Sequence, residues 1–346
     1  MNNNIKNKKA SLLLLLTLFI SFVSILFFLL YTPISKFTSD DPYPEISTLI
    51  PSKIIEFGGS PTTVHVGLYI RDIPTFDILN SRFILDAIVL FKFDHRQISL
   101  DRIGKFKFDR ARIIEQSKPQ TKIEGHNLIA RYDMKLELNT SLSFKFFPLD
   151  DHRVNISITN YSLTPSEVVF SSSMEDLTLN PDLRIAGWEV IDKMVKTGFL
   201  TDKTYSDEKK SGDIHNPRVI FSLDFANIGI RHLMTLLIPL LIIFLISTIT
   251  FTFDPTDTSA NIVSTSIATI TALIAYKFVI ESMSPKTGYL MLSDNFFLYI
   301  FFGCITIFIF NLFSNIINGF YKNIITATLY IIYTILFIYS LYPLLS

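Results

Sequence analysis

The chain has 346 residues, with 31 Lys and Arg against 31 Asp and Glu, and this zero net charge leaves no long-range field to draw it to nucleic acid. Hydrophobic residues make up 49% of it and the mean hydropathy is positive, a combination that soluble proteins rarely reach, because apolar residues must be hidden from water. The single cysteine, Cys304, excludes an internal disulfide, and the six scattered His have no zinc-site spacing, so no metal or cofactor is expected.

Residues 10–31 form an uncharged apolar run preceded by Lys6, Lys8 and Lys9. Segment 1–34 therefore reads as a signal peptide or a signal-anchor helix, with its basic end held in the cytoplasm. No A-x-A cleavage site follows, and both readings deliver residue 35 to the outside. Residues 35–61, rich in Pro, Ser and Asp, read as a linker.

From 62 to 229 the period changes to two. Runs such as TVHVGLYI (63–70), RFILDAIVLFKFD (82–94), NLIARYDMKLEL (127–138), LSFKFF (142–147), RVNISIT (153–159) and RVIFSLDFA (218–226) alternate apolar and polar residues. Such alternation predicts half-buried strands. Their spacing predicts an all-β, immunoglobulin-like sandwich of about ten strands.

Residues 230–346 carry four apolar runs, 233–253, 261–280, 296–317 and 324–345, joined by short connections. Each is long enough to cross a bilayer, predicting a four-helix transmembrane bundle with lipid as one partner. With residue 230 outside, the first and third spans run inward and the second and fourth outward. The protein is then a multi-pass component of the cell (inner) membrane, with its β-domain extracellular or periplasmic. The second span is rich in Ser and Thr, which suit helix contacts or a watery lumen better than lipid. Helical spacing puts Ser264, Ile267, Ala268, Thr271, Ala275 and Phe278 on one stripe. One helix cannot enclose a pore, so pore lining requires several copies around an axis. Packing between helices explains the same composition, and both readings stand at this point.

An export segment, a β-sandwich and four spans with a hydroxyl-rich second one come in the order found in the pentameric ligand-gated ion channels, the Cys-loop receptors, and several motifs resemble that family. Residues 147–150 read FPLD, similar to the FPxD of its signature loop, although cysteines are absent near Thr140 and Val154, as in the prokaryotic branch. Phe93-Asp94-His95-Arg96 resembles the WxDxR segment, with Lys92 at the Trp position. Trp188-Glu189 resembles the start of the ninth strand, Pro239 the proline of the first span, and AYKFVIESMSP (275–285) the end of the second.

The resemblance implies a homopentamer, each subunit meeting four copies of itself, in which a small-molecule ligand or protons bound to the β-domains open a pore for inorganic ions. Asp77, Phe147, Pro148, Asp150, Arg231 and Pro285 would form the gating interface, with Arg231 the candidate cation for Asp150. Phe91, Phe93, Tyr161, Phe199 and Tyr205 would be the aromatic candidates for ligand binding, by cation–π attraction for an amine. Asp254 and Asp257 at one pore mouth and Glu281 at the other lean toward cations. Thr271 stands where the family places a bulky Leu, which moves an apolar constriction to Phe278. A second reading is a membrane-tethered sensor of the same architecture that does not conduct. No nucleophile elbow, phosphate loop or metal spacing points to an enzyme.

Overall fold

The computed structural model describes residues 2–48, 58, 60–203, 213–228, 230–250, 255–313 and 319–345. The chain divides into two compact units. One comprises Ser39–Ser143 and Asp151–Asn227; the other comprises Met1–Thr38, Phe144–Asp150 and Ile228–Ser346.

The first unit is a β-sandwich of twelve described strands, two more than the sequence pattern suggests. They are β1 (Ser47–Thr48), β2 (Thr62–Asp77), β3 (Arg82–Asp94), β4 (Lys107–Phe108), β5 (Ala111–Gln116), β6 (Gln120–Glu124), β7 (Asn127–Asn139), β8 (His152–Thr159), β9 (Val168–Ser171), β10 (Leu177–Leu179), β11 (Trp188–Lys203) and β12 (Asp213–Asn227). One sheet has the order β1-β11-β12-β8-β4; the other runs β10-β2-β3-β7-β5, with β6 also on β7 and β9 on β2. A one-turn helix, α2 (Leu100–Ile103), follows β3. The side-chain alternation decides the faces. Val64, Val66, Leu68 and Ile70 of β2 and Val219, Phe221, Leu223 and Phe225 of β12 all turn into one core.

Residues 39–48, expected within a linker, instead lie along the β8–β12–β11 sheet as a strap. Asp41 is buried: its Oδ1 accepts the Ser143 amide at 2.7 Å, and its Oδ2 accepts the Arg153 amide at 2.8 Å, the Ser39 hydroxyl at 2.9 Å and His152 Nδ1 at 3.2 Å. The Tyr43 ring lies beneath both Arg153 and Lys196, at 4.5 and 4.4 Å. Arg218 donates to the Glu45 carbonyl at 2.7 Å, and Ser47 pairs with Phe199. A Cβ at Gly198 would meet the Ser47 carbonyl oxygen at 2.2 Å, so only glycine admits the strap this close.

The second unit is helical. Alongside α1 (Asn2–Ser35) stand α3 (Ile230–Ile249), α4 (Pro255–Met283), α5 (Leu292–Leu312) and α6 (Gly319–Leu345). Five helices of the described residues are long and apolar enough to cross a membrane, the four expected in the C-terminal region and the N-terminal helix, whose Phe22, Leu26 and Leu30 pack with the rest. At Gly303 of α5 a Cβ would meet the Tyr333 hydroxyl at 2.8 Å and the Phe244 ring at 3.1 Å, so this glycine lets α5 approach α3 and α6 closely. The LSFKFF segment, expected as a strand, is a turn. From Phe144 on, its backbone groups bond Tyr289 and the first residues of α5 instead of a ladder partner.

Candidate functional site

Helix α4 has two unlike faces. Ile262, Ser266, Thr269, Leu273 and Ile280, spaced by threes, fours and sevens, turn into the bundle. Ser264, Ile267, Ala268, Thr271, Ala275 and Phe278 all lie on the exposed face, with Phe278 at 69%. Of the last four spans α4 is the least covered: 22% of its most apolar stretch is buried, against 44, 39 and 33% for α3, α5 and α6. The hydroxyl of Thr271 donates back to the Ile267 carbonyl at 3.0 Å, which satisfies its hydrogen and leaves lone pairs on the open face.

Contacts near both ends hold α4 in this rotation. Lys277 Nζ lies 2.6 Å from Asp294 Oδ1 of α5 and 5.3 Å from the centre of the Phe297 ring. The other Asp294 oxygen accepts the Met291 amide at 3.0 Å and caps α5. Tyr276, one residue before Lys277, donates its hydroxyl to the Thr235 carbonyl of α3. Toward the opposite end, the amide group of buried Asn311 donates to the hydroxyl oxygens of Thr250 at 2.7 Å and Ser266 at 2.9 Å. Those hydroxyls in turn donate to the carbonyls of Ser247 and Ile262. Asn311→Ala is expected to destabilise the detergent-solubilised bundle by about 1 kcal/mol, two interhelical hydrogen bonds at roughly 0.6 kcal/mol each. Its thermal midpoint should fall accordingly, and an unchanged midpoint would show that this polar contact contributes nothing.

The FPLD loop belongs to the helical unit. The Phe144 amide donates to the Tyr289 hydroxyl at 2.9 Å, and the amides of Leu292 and Ser293 donate to the carbonyls of Lys145 at 3.0 Å and Phe147 at 3.1 Å. Pro148, Leu236, Leu240, Ile280 and Phe296 enclose a void of about 10 Å³, barely the room of one water, so the loop tip fills the junction of α3, α4 and α5. Asp150 closes its own loop, Oδ1 accepting the Phe146 amide at 2.9 Å. Pro285 is buried in the link between α4 and α5, and Arg231 is exposed in the first turn of α3. In the sandwich unit, Asp77 holds the turn after β2 by accepting from the Asn80 amide at 3.2 Å.

The aromatic candidates separate. Phe91 and Phe93 are core residues at 0 and 1% exposure, and Phe91 packs on Phe106 at 4.8 Å. Phe199 is likewise buried, its ring edge-on to His215 at 5.1 Å. These three rings are buried, Phe91 and Phe93 because strand alternation turned them into the sandwich core. Tyr161 is exposed, its hydroxyl donating to Asp109 at 2.9 Å. Asp109 also takes the Arg218 guanidinium. Tyr205 and Asp254 lie outside the described residues. Asp257 falls in the first turn of α4, and Glu281 is exposed near its end.

Sequence reasoning missed two charged groups. Asp294 looked like one more residue before an apolar run, although its place at the start of α5, followed by no other charge, was a usable capping signal. Asp41 was hidden in a polar segment. Burial by itself would raise its carboxyl, but the His152 ring and the Ser143 and Arg153 amides hold it below the ordinary carboxylate range. An ionised carboxylate only accepts, so His152 Nδ1 carries the proton of this contact.

No protein-family model matches the chain. Over 165 residues it is 22% identical to a curated protein of Gloeobacter violaceus described as a proton-gated ion channel, a match covering 46% of this chain and 43% of that protein. The aligned stretch is thus less than half of the relative. The apolar helices and this similarity make the chain a membrane protein with likeness to an ion channel.

Proposed function

We propose that the chain is one subunit of a homopentameric ligand-gated ion channel, with α4 lining the pore. The observation that carries this reading is the open face of α4. Its hydroxyls and small side chains are a poor surface against hydrocarbon but a suitable one for a watery lumen shared with four copies. Phe278, the bulkiest side chain of that face, would form the constriction, and Glu281 together with Asp254 and Asp257 would favour cations. The FPLD loop, seated on the chain ahead of α5, would carry the gating signal from a β-domain outside the cell membrane. Protons are the favoured agonist, given the function named for the relative; a small-molecule ligand at Tyr161 is the second possibility.

Cysteine accessibility tests the pore. Cys304 is the chain's one cysteine and is buried, so an introduced thiol reports without background. In a reconstituted bilayer, acid-activated current through Ser264→Cys and Thr271→Cys channels should be blocked by a charged methanethiosulfonate, while Ile331→Cys on the exposed side of α6 should be indifferent. Equal responses at all three positions would reject α4 as the pore wall. The polar Thr271 at mid-helix favours a second reading, a non-conducting sensor. Well-formed pentamers that stay silent across a pH and ligand screen would establish it.

A further inference from the structure

We propose that α1 stays in the mature subunit as a fifth membrane helix, seated against α6 and α3, and is not removed as an export signal. This inference does not depend on what the bundle conducts.

Four side chains of α1, Leu15, Phe22, Leu26 and Leu30, recur at intervals of seven and four, and each is at most 2% exposed. They form one helical stripe that faces protein along much of the helix. The Phe22 ring is the centre of the contact. Its centroid lies 6.2 Å from that of Phe244 in α3, and 5.8 and 5.6 Å from those of Tyr330 and Phe337 in α6. These partners are themselves buried, and Tyr330 shares a hydrogen bond of 3.0 Å with Thr248 of α3. Phe22 therefore covers the seam at which α3 and α6 meet, and removing α1 would open that aromatic cluster. A polar contact fixes the register: the Ser11 hydroxyl donates to Asn323 Oδ1 of α6 at 2.8 Å. Two helices brought together by apolar packing alone could slide, whereas one hydrogen bond inside a membrane favours a single setting.

The opposite face of α1 suits lipid. Leu13, Ile20, Phe28 and Tyr31 are exposed, and no charged side chain occurs between residues 10 and 35. Length gives an independent argument. The apolar helix Ala10–Ser35 has 26 residues, about 39 Å at 1.5 Å per residue. That spans the hydrocarbon core of about 30 Å, whereas the apolar part of a cleaved signal runs about 7–15 residues. Lys6, Lys8 and Lys9 precede it and would hold its start in the cytoplasm.

The test uses the full chain with a C-terminal tag, produced in a bacterial inner membrane with its signal peptidase active. The intact mass of the purified protein should correspond to the 39.6 kDa chain plus the tag. A species lacking about the first 35 residues overturns the proposal. In the retained protein, Ser11→Cys with Asn323→Cys should form a disulfide on mild oxidation. Phe22→Ala should lower the thermal midpoint in detergent by several degrees, and Phe28→Ala on the lipid side should not. A retained helix that neither crosslinks nor distinguishes Phe22 from Phe28 overturns the proposed seat.

Discussion

Asp41→Ala is expected to destabilise the sandwich unit by about 1–3 kcal/mol, the usual cost of depriving buried donors of their acceptor. The carboxylate accepts four hydrogen bonds, from the Ser39 hydroxyl, the Ser143 and Arg153 amides and the His152 ring. Truncation removes the carboxylate acceptor from the two amides and from the imidazole next to Trp188, whose ring centre lies 5.5 Å from that of His152. Denaturant unfolding of the whole protein, followed through Trp188, the only tryptophan, reads the effect. A loss below about 1 kcal/mol would mean that the strap contributes little to the sandwich.

The pH dependence of the same group has a definite sign. The folded Asp41 carboxyl titrates below its ordinary value. Its contribution is therefore complete above the unfolded carboxylate pKa of about 3.9 and is lost as pH falls from there through the lower folded value. The wild-type protein should lose stability on that acid limb more steeply than Asp41→Asn, which has no proton to take up. Parallel curves would contradict this assignment.

Lys277→Met should cost about 3 kcal/mol, near the lower end for breaking a buried pair because the lysine keeps partial exposure. It leaves the Asp294 carboxylate without its ammonium partner and the Phe297 ring without the cation above it. Adding Asp294→Asn should recover much of the loss, since the amide oxygen can still cap Met291 while no charge remains to be buried. A double-mutant cycle on thermal unfolding in detergent measures this coupling, and strict additivity of the two substitutions would show that the pair is not coupled. Phe278 follows Lys277 directly, so under the proposed function the single substitution should also change the resting current by freeing the rotation of α4.

The strand pattern was legible because a period of two needs only local residues. β2, β3, β7, β8 and β12 follow the alternation read in the sequence, and their inward residues make the core. The same alternation contained the reason that Phe91 and Phe93 are core and not ligand contacts, but an aromatic on a half-buried strand has no label for which face is inside. LSFKFF misled in the opposite direction: it has strand composition, yet Phe144, Lys145 and Phe147 bond Tyr289, Leu292 and Ser293, far along the chain.

By itself the sequence determined the all-β region, the four C-terminal spans and the unusual hydroxyl content of the second, because hydropathy and periodicity are properties of neighbouring residues. Only the tertiary structure decided which face of α4 stays open, that residues 39–48 are a strap, and that α1 packs as a fifth helix. Each of those outcomes depends on pairs distant in the chain, Lys277 with Asp294, Asp41 with His152 and Phe22 with Tyr330. A side chain's burial and its charge partner are set by what folding brings against it, which no local pattern records.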